Sequence, residues 1–223
     1  MINSWEHKSV AIVEADDFQD RYDRNGLNYL FWWKSKYPDF KITLFTIPDR
    51  TSPELMYQIN NLDWIEIAVH GWNHESNFEC YGWNYDKAIR FLSRTESVGW
   101  YKKIFKAPGW TITPDYNGYP STEKNLIHED KQAIYKALRD LDYIIFDRHY
   151  NAPARPEGCK VVCVDDQPKI VHMHTWNMEV GDDKQRNGFG QVEEEHGVPW
   201  DNNTEFHFVS EAWEKGLFEP CKS

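Results

Sequence analysis

Asp16 and Asp17 stand directly after the apolar run Val10–Ala15. Two adjacent acids at a strand end usually form a turn or a helix N-cap, so the pair acquires chemical meaning only with partners. His70 and His74 can supply them. Imidazoles four residues apart can reach one ion from a single turn, and an oxygen from Asp17 would complete a two-histidine, one-carboxylate set. Such a set leaves coordination positions open for water and substrate, which distinguishes catalytic from structural zinc. Asp16 is then the spare carboxylate beside the metal, placed to take a proton from an attacking water. His172 and His174 lie two apart in the run Lys169–His174 and so point to one side of a strand. Taken singly, each reads more readily as a satisfied, partly buried histidine.

These residues must be positioned by elements, and the sequence supplies them in alternation. Strand-length runs are Val10–Ala15, Lys41–Ile47, Trp64–Val69, Lys103–Lys106, Tyr143–Phe146, Lys160–Val164 and Lys169–His174. They are rich in Val, Ile and Phe without strict alternation, the mark of strands covered on both faces in a parallel sheet. Helices are expected over Leu27–Lys36, over Glu54–Asn60 behind a Ser52 cap and Pro53, over Tyr85–Arg94, and over Lys131–Leu141 with Ile134, Ala137, Leu138 and Leu141 on one face. A short strand at Phe206–Phe208 and a helix at Glu211–Lys215 would close the chain, and the Gly-rich stretch 177–203 reads as a long loop. The pattern predicts an α/β fold, a distorted (β/α) barrel of about seven strands forming one domain over 1–223. The polar clusters fall at the C-terminal strand ends, which is the catalytic face of such barrels.

Composition narrows the partners. The 223 residues carry a formal charge of −11, from 25 Lys and Arg against 36 Asp and Glu. That balance speaks against nucleic acid or an anionic membrane, both of which are held by Lys and Arg. No apolar window reaches membrane-span length, and the first residues show no secretory pattern, so the expectation is a cytoplasmic protein with no membrane insertion. Nothing points to a protein partner. Four cysteines are too few for a disulfide scaffold, and Cys159 and Cys163 read as packing or free thiols ahead of a structural zinc site.

The joint order of these features is more specific than its parts: a strand-end Asp-Asp, then H-x-x-x-H, then Lys106-Ala107-Pro108-Gly109, then a strand-end histidine. In this the chain resembles the polysaccharide deacetylases, the NodB-type enzymes of carbohydrate esterase family four, over about residues 10–180. The resemblance implies a distorted (β/α) barrel and a metal-dependent hydrolase that removes an acetyl group from an N-acetylated sugar. It implies Asp16 as base, Asp17, His70 and His74 as ligands of one divalent metal, expected to be Zn2+, and the N–H of Gly109 as oxyanion donor. It also implies His174 as the acid that protonates the leaving amine, with His172 as its rival. Trp72, Trp110 and Trp176 adjoin the motifs and could stack on sugar C–H faces, with Lys106 beside them; barrel-rim packing is the equal alternative for the tryptophans.

The departures are equally concrete. Glu14-Ala15 and Phe18 flank the two aspartates, where the family has Thr-Phe and Gly. Gly71 replaces a loop-bracing hydroxyl, Lys106 replaces an arginine with its planar fork, Gly109 stands at a common tyrosine, and Thr175 follows the late histidine in place of Asp. Asp147 beside Arg148 is the candidate for the fourth motif. Two other functions stay open at this level, a hydrolase of a small non-sugar amide of formamide or ureide type and an inactive sugar-binding module. An amidohydrolase site on His172-Met173-His174 fits poorly, because that pair belongs on a first strand.

Overall fold

The computed structural model describes residues 9–20, 23–110, 112, 132–148, 151, 155–175 and 200–221. Trp176 and most of the 177–203 stretch lie outside the described residues. The strands are β1 (Val10–Phe18), β2 (Ile42–Thr46), β3 (Ile65–His70), β4 (Ile104–Lys106), β5 (Ile144–Asp147), β6 (Lys160–Cys163), β7 (Ile170–His174) and β8 (Glu205–Phe206). The helices are α1 (Asp23–Lys36), α2 (Pro53–Asn60), α3 (Tyr85–Val98), α4 (Ala133–Asp140) and α5 (Val209–Glu214). The chain has the expected α/β class: seven parallel strands with helices between them, and a short eighth strand beside β1. No described helix is long and apolar enough to cross a membrane.

The chain divides into two compact units, one within 1–67 and 167–219 and the other within 68–166 and 220–223. Strand β3 runs through the division, with Ile65–Ile67 in the first unit and Ala68–His70 in the second.

In the first unit β1 is the central strand. It pairs in parallel with β2 and β7, and its first residues, Val10 and Ala11, pair with β8. Covered on both sides, β1 is buried from Ala11 to Asp16, which accounts for its unalternating Ala-Ile-Val sequence. An aromatic cluster of Trp33, Phe40, Trp64, Trp200 and Phe206 fills the space beside it, with ring centroids 5.4–6.3 Å apart. Several of the tryptophans that make the composition unusual are therefore core. Helix α2 begins as expected: the Ser52 hydroxyl accepts the Leu55 N–H, Pro53 takes the first position, and Leu55, Met56 and Ile59 are buried. Glu66, buried on β3, accepts from the Thr43 hydroxyl at 2.8 Å and from the Ser210 N–H at 3.2 Å, which ties the start of α5 to the strands.

In the second unit the order is β3–β4–β5–β6, all parallel. Helices α3 and α4 cover it with Ala88, Leu92, Ile134, Ala137 and Leu138 against Phe105 and Ile145. Helix α3 runs one turn beyond the expected Arg94. Thr95 in that turn is buried, and its hydroxyl lies 3.2 Å from Tyr143 Oη, so the added turn is held by packing that no local pattern announces.

One boundary departs from expectation in a way that matters. Strand β1 does not stop at Ala15 but continues through Asp16 and Asp17 to Phe18. Ala15 pairs with Leu44 and Phe18 with Thr46, so three steps on β1 match two on β2. The extra residue makes a β-bulge, and Asp17 takes the left-handed conformation with φ 66°. Asp and Asn tolerate that region better than other non-glycine residues.

Candidate functional site

In the first unit, paired positions of β1 and β7 carry four polar side chains in register. Glu14 lies beside His172 and Asp16 beside His174. Strand periodicity correctly places His172 and His174 on one side: their rings meet edge to face at 4.8 Å. Asp16 is 3% exposed, and one donor atom from each of Asp16, His172 and His174 lies within 4.8 Å of the others. His172 Nδ1 sits 2.7 Å from Oε1 of Glu14, whose side chain is fully buried. The carboxylate accepts, so Nδ1 carries the proton and the lone pair of His172 is on Nε2. Thr175, at the position where the resemblance has Asp, accounts for itself structurally. Its N–H and its hydroxyl both donate to the Asp16 carbonyl at 3.0 Å, which fixes the backbone of the bulge.

In the second unit, β3 ends in the loop that carries the two other histidines. His70 is 2% exposed, and its Nδ1–H donates to the Lys106 carbonyl at 3.1 Å. That bond sets the tautomer and places the lone pair on Nε2, the nitrogen a metal would use. The rings of His70 and His74 lie 5.3 Å apart. His74 takes φ 47°, and the loop is held in that turn by Glu79. Glu79 Oε1 accepts the N–H groups of Trp72 at 2.8 Å and Asn73 at 3.1 Å, and Oε2 accepts that of His74 at 2.8 Å. Gly71 makes the approach possible. With φ 61°, a Cβ there would lie 2.5 Å from Glu79 Oε2 and 2.8 Å from Pro108 Cγ.

The turn after β4 is held with similar economy. Gly109 has φ 58°, where a Cβ would meet Asn77 Cβ at 2.7 Å, and Trp110 has φ 61° with its N–H bonded to the Ala107 carbonyl. Lys106 is fully buried, with its ammonium 4.2 Å from the Trp110 ring centroid and 5.9 Å from that of Phe146, a cation–π setting. The Arg148 guanidinium lies 5.0 Å from the Trp110 ring centroid. Trp72 stacks on Phe91 at 4.7 Å and 6°, which commits one face of its indole to packing.

Asp147 ends β5 as the hub of a buried network. It accepts from Tyr135 Oη at 2.7 Å, Asn151 Nδ2 at 2.6 Å, Arg155 Nε at 2.9 Å and the Arg148 N–H at 2.8 Å. Burial pushes its carboxyl above the usual range, and Arg155 with the three hydrogen-bond donors pulls it only part of the way back. The Arg148 side chain turns to Asp165 at 3.2 Å.

Sequence reasoning did not find Glu14, Glu79 and Thr175 as site-shaping residues. Glu14 reaches a partner 158 positions away, and Thr175 one 159 positions away, so no local signal could reveal them. Glu79 lies five to seven residues from the amides it binds. The absence of a bracing hydroxyl at Gly71 was the one available hint that another group must do that work.

No known family model matches the chain, and no curated protein matches it. Among solved structures, the Bc1960 peptidoglycan N-acetylglucosamine deacetylase in complex with 4-naphthalen-1-yl-N-oxidanyl-benzamide is similar over 91% of this chain and 86% of that one, at 14% identity with a TM-score of 0.46. A likeness at that level carries no assignment of activity.

Proposed function

We propose that the two units act together as one metal-dependent amide hydrolase domain that removes the acetyl group of an N-acetylated sugar. The observation that carries this reading is the register of β1 and β7, whose last paired position sets Asp16 beside His174. A buried carboxylate and an imidazole at neighbouring strand ends are the base and the acid that amide cleavage requires. The motif order Asp16-Asp17, His70…His74, Lys106-Ala107-Pro108-Gly109, His174 supports the same reading through its resemblance to the NodB-type deacetylases.

The donor set suits a metal. His70 presents Nε2 because Nδ1 is bound to the Lys106 carbonyl. His74 is held in the same turn by Glu79, and Asp17 stands at the bulge of β1. We assign Asp17, His70 and His74 as its ligands, a nitrogen and oxygen set that fits Zn2+. When bound, the ion would supply Lewis-acid polarisation of the amide carbonyl and a lowered pKa for water.

The chain's own residues do the rest. Asp16 takes the proton of the attacking water. The Gly109 N–H, held by a turn that only glycine fits, donates to the developing oxyanion, a contribution on the order of 3 kcal/mol for a well-aimed donor. His174 gives a proton to the departing amine, and Glu14 with His172 steadies the neighbouring strand position. Trp72 and Trp110, both half-buried, form the wall against which the sugar would lie; Lys106, expected beside them at the substrate, is fully buried and packs its ammonium against the Trp110 ring.

Acetate release across N-acetylglucosamine, its oligomers and small formamides, measured with and without chelator, tests the proposal. Chelator-sensitive release from the sugars supports it. Release only from the small amides, or release unaffected by chelator, overturns it.

A further inference from the structure

The hydrolytic scheme leaves one feature of the first unit unused. Beside Asp16 and His174, the buried Glu14 holds the half-buried His172, a second imidazole near the same carboxylate. Asp16, His172 and His174 each offer a donor atom, and these lie within 4.8 Å of one another. Tetrahedral zinc with bonds of roughly 2.0–2.1 Å needs its ligand atoms roughly 3.3 Å apart, so modest side-chain rotation would close the set on an ion. The arrangement behind it is the one that metal-binding histidines use. A carboxylate, Glu14, takes the Nδ1 proton of His172 at 2.7 Å and leaves the Nε2 lone pair for a ligand. Thr175 fixes the backbone of Asp16 with two bonds to its carbonyl. Two imidazoles and one carboxylate leave a fourth position for water.

We propose that Asp16, His172 and His174 form a second divalent-cation site, oriented by Glu14, and that its occupation inhibits the enzyme by claiming base and acid together. All four residues belong to the first unit, and none of them is Asp17, His70 or His74, the ligands assigned to the catalytic ion. Only the inhibition rests on the proposed reaction. The site would take a borderline ion such as Zn2+, and it would fill after the catalytic position when the ion is in excess.

Calorimetric titration of the metal-stripped full chain with Zn2+ tests this, with Co2+ absorption as an independent readout of imidazole ligation. The expected result is two binding events. His172→Ala should remove one, Glu14→Gln should weaken the same one by roughly 10–100-fold, and His70→Ala should remove the other. The event retained in each titration shows that the variant is folded. In the acetate assay, excess Zn2+ should inhibit the wild type, and Glu14→Gln should need roughly 10–100-fold more of the ion for the same inhibition. If His172→Ala and Glu14→Gln both keep two events at unchanged affinity, the second site is overturned. A single wild-type event that disappears in His70→Ala overturns it equally. If His70→Ala keeps both events, the catalytic metal assignment falls while the second site stands.

Discussion

Glu79 and His74 are joined by a bond from the histidine's own backbone: the N–H of His74 donates to Glu79 Oε2 at 2.8 Å, while the other carboxylate oxygen holds the amides of Trp72 and Asn73. One side chain thus fixes three consecutive amides of the loop that presents both histidines. Removing it leaves partly buried amide donors without their acceptor. Glu79→Ala should lower unfolding free energy by about 3 kcal/mol and weaken Zn2+ binding. Urea unfolding and calorimetry check the two effects, and an unchanged midpoint with unchanged affinity would count against the role given to Glu79.

Gly71 and Gly99 offer a controlled comparison. Both have positive φ, but a Cβ on Gly71 collides with Glu79 and Pro108 while one on Gly99 meets nothing within 4 Å. Gly99→Ala should therefore cost only the conformational term, about 1 kcal/mol. Gly71→Ala should cost more, about 2–4 kcal/mol, by adding overpacking to backbone strain. Thermal melts of the two variants measure the difference, and equal losses would show that the loop yields freely at Gly71.

The two aspartates should separate cleanly. Asn accepts positive φ as Asp does, so Asp17→Asn tests charge and ligation with the bulge kept, and it should lose Zn2+ affinity. Asp16→Asn should retain the tighter Zn2+ event while turnover falls roughly 10²–10⁴-fold, the usual span for loss of a general base. Metal content by elemental analysis beside steady-state rates distinguishes them. Unchanged turnover in Asp16→Asn would remove Asp16 as the base.

A fourth expectation concerns pH. Burial alone would raise the Glu211 carboxyl, but the Lys41 ammonium at 2.8 Å and the Phe208 N–H outweigh it, and the net shift is downward. A carboxylate with a depressed folded value stabilises the fold above its ordinary range of about pH 4.3, and this contribution disappears as pH falls through the depressed value. The stability curves of wild type and Glu211→Gln should therefore be separated at neutral pH and converge on acidification. A constant gap across that range would contradict the assignment.

The sequence reading succeeded where composition follows burial. The run Val10–Ala15 is apolar because neighbouring strands cover it on both sides, and Ser52-Pro53 announces a helix start through its own backbone chemistry. It failed where two signals competed. Asp16-Asp17 looks like a turn, yet Phe18 beyond it is fully buried and carries β1 on through the bulge. Arg94 looked like a helix end, while the burial of Thr95 continued α3. Within the proposed site, residue types and spacing were enough to nominate the ligands and the base. Their supports, Glu14, Glu79 and Thr175, were hidden because each acts through a contact made only after folding. Of the tryptophans nominated for a substrate wall, Trp72 commits one face of its indole to packing on Phe91.

The bulge in β1 has a genetic corollary. Three residues of β1 answer two of β2, so the alternation of faces is reset within the acidic pair. Loss of a single codon there would restore a regular ladder and leave most of the sheet paired as before. It would also erase the left-handed step at Asp17, while Phe18 would stay opposite Thr46 on the same face as Ala15. The reading frame of the strand, as much as the identity of its two acids, is what a lineage keeping this chemistry would have to preserve.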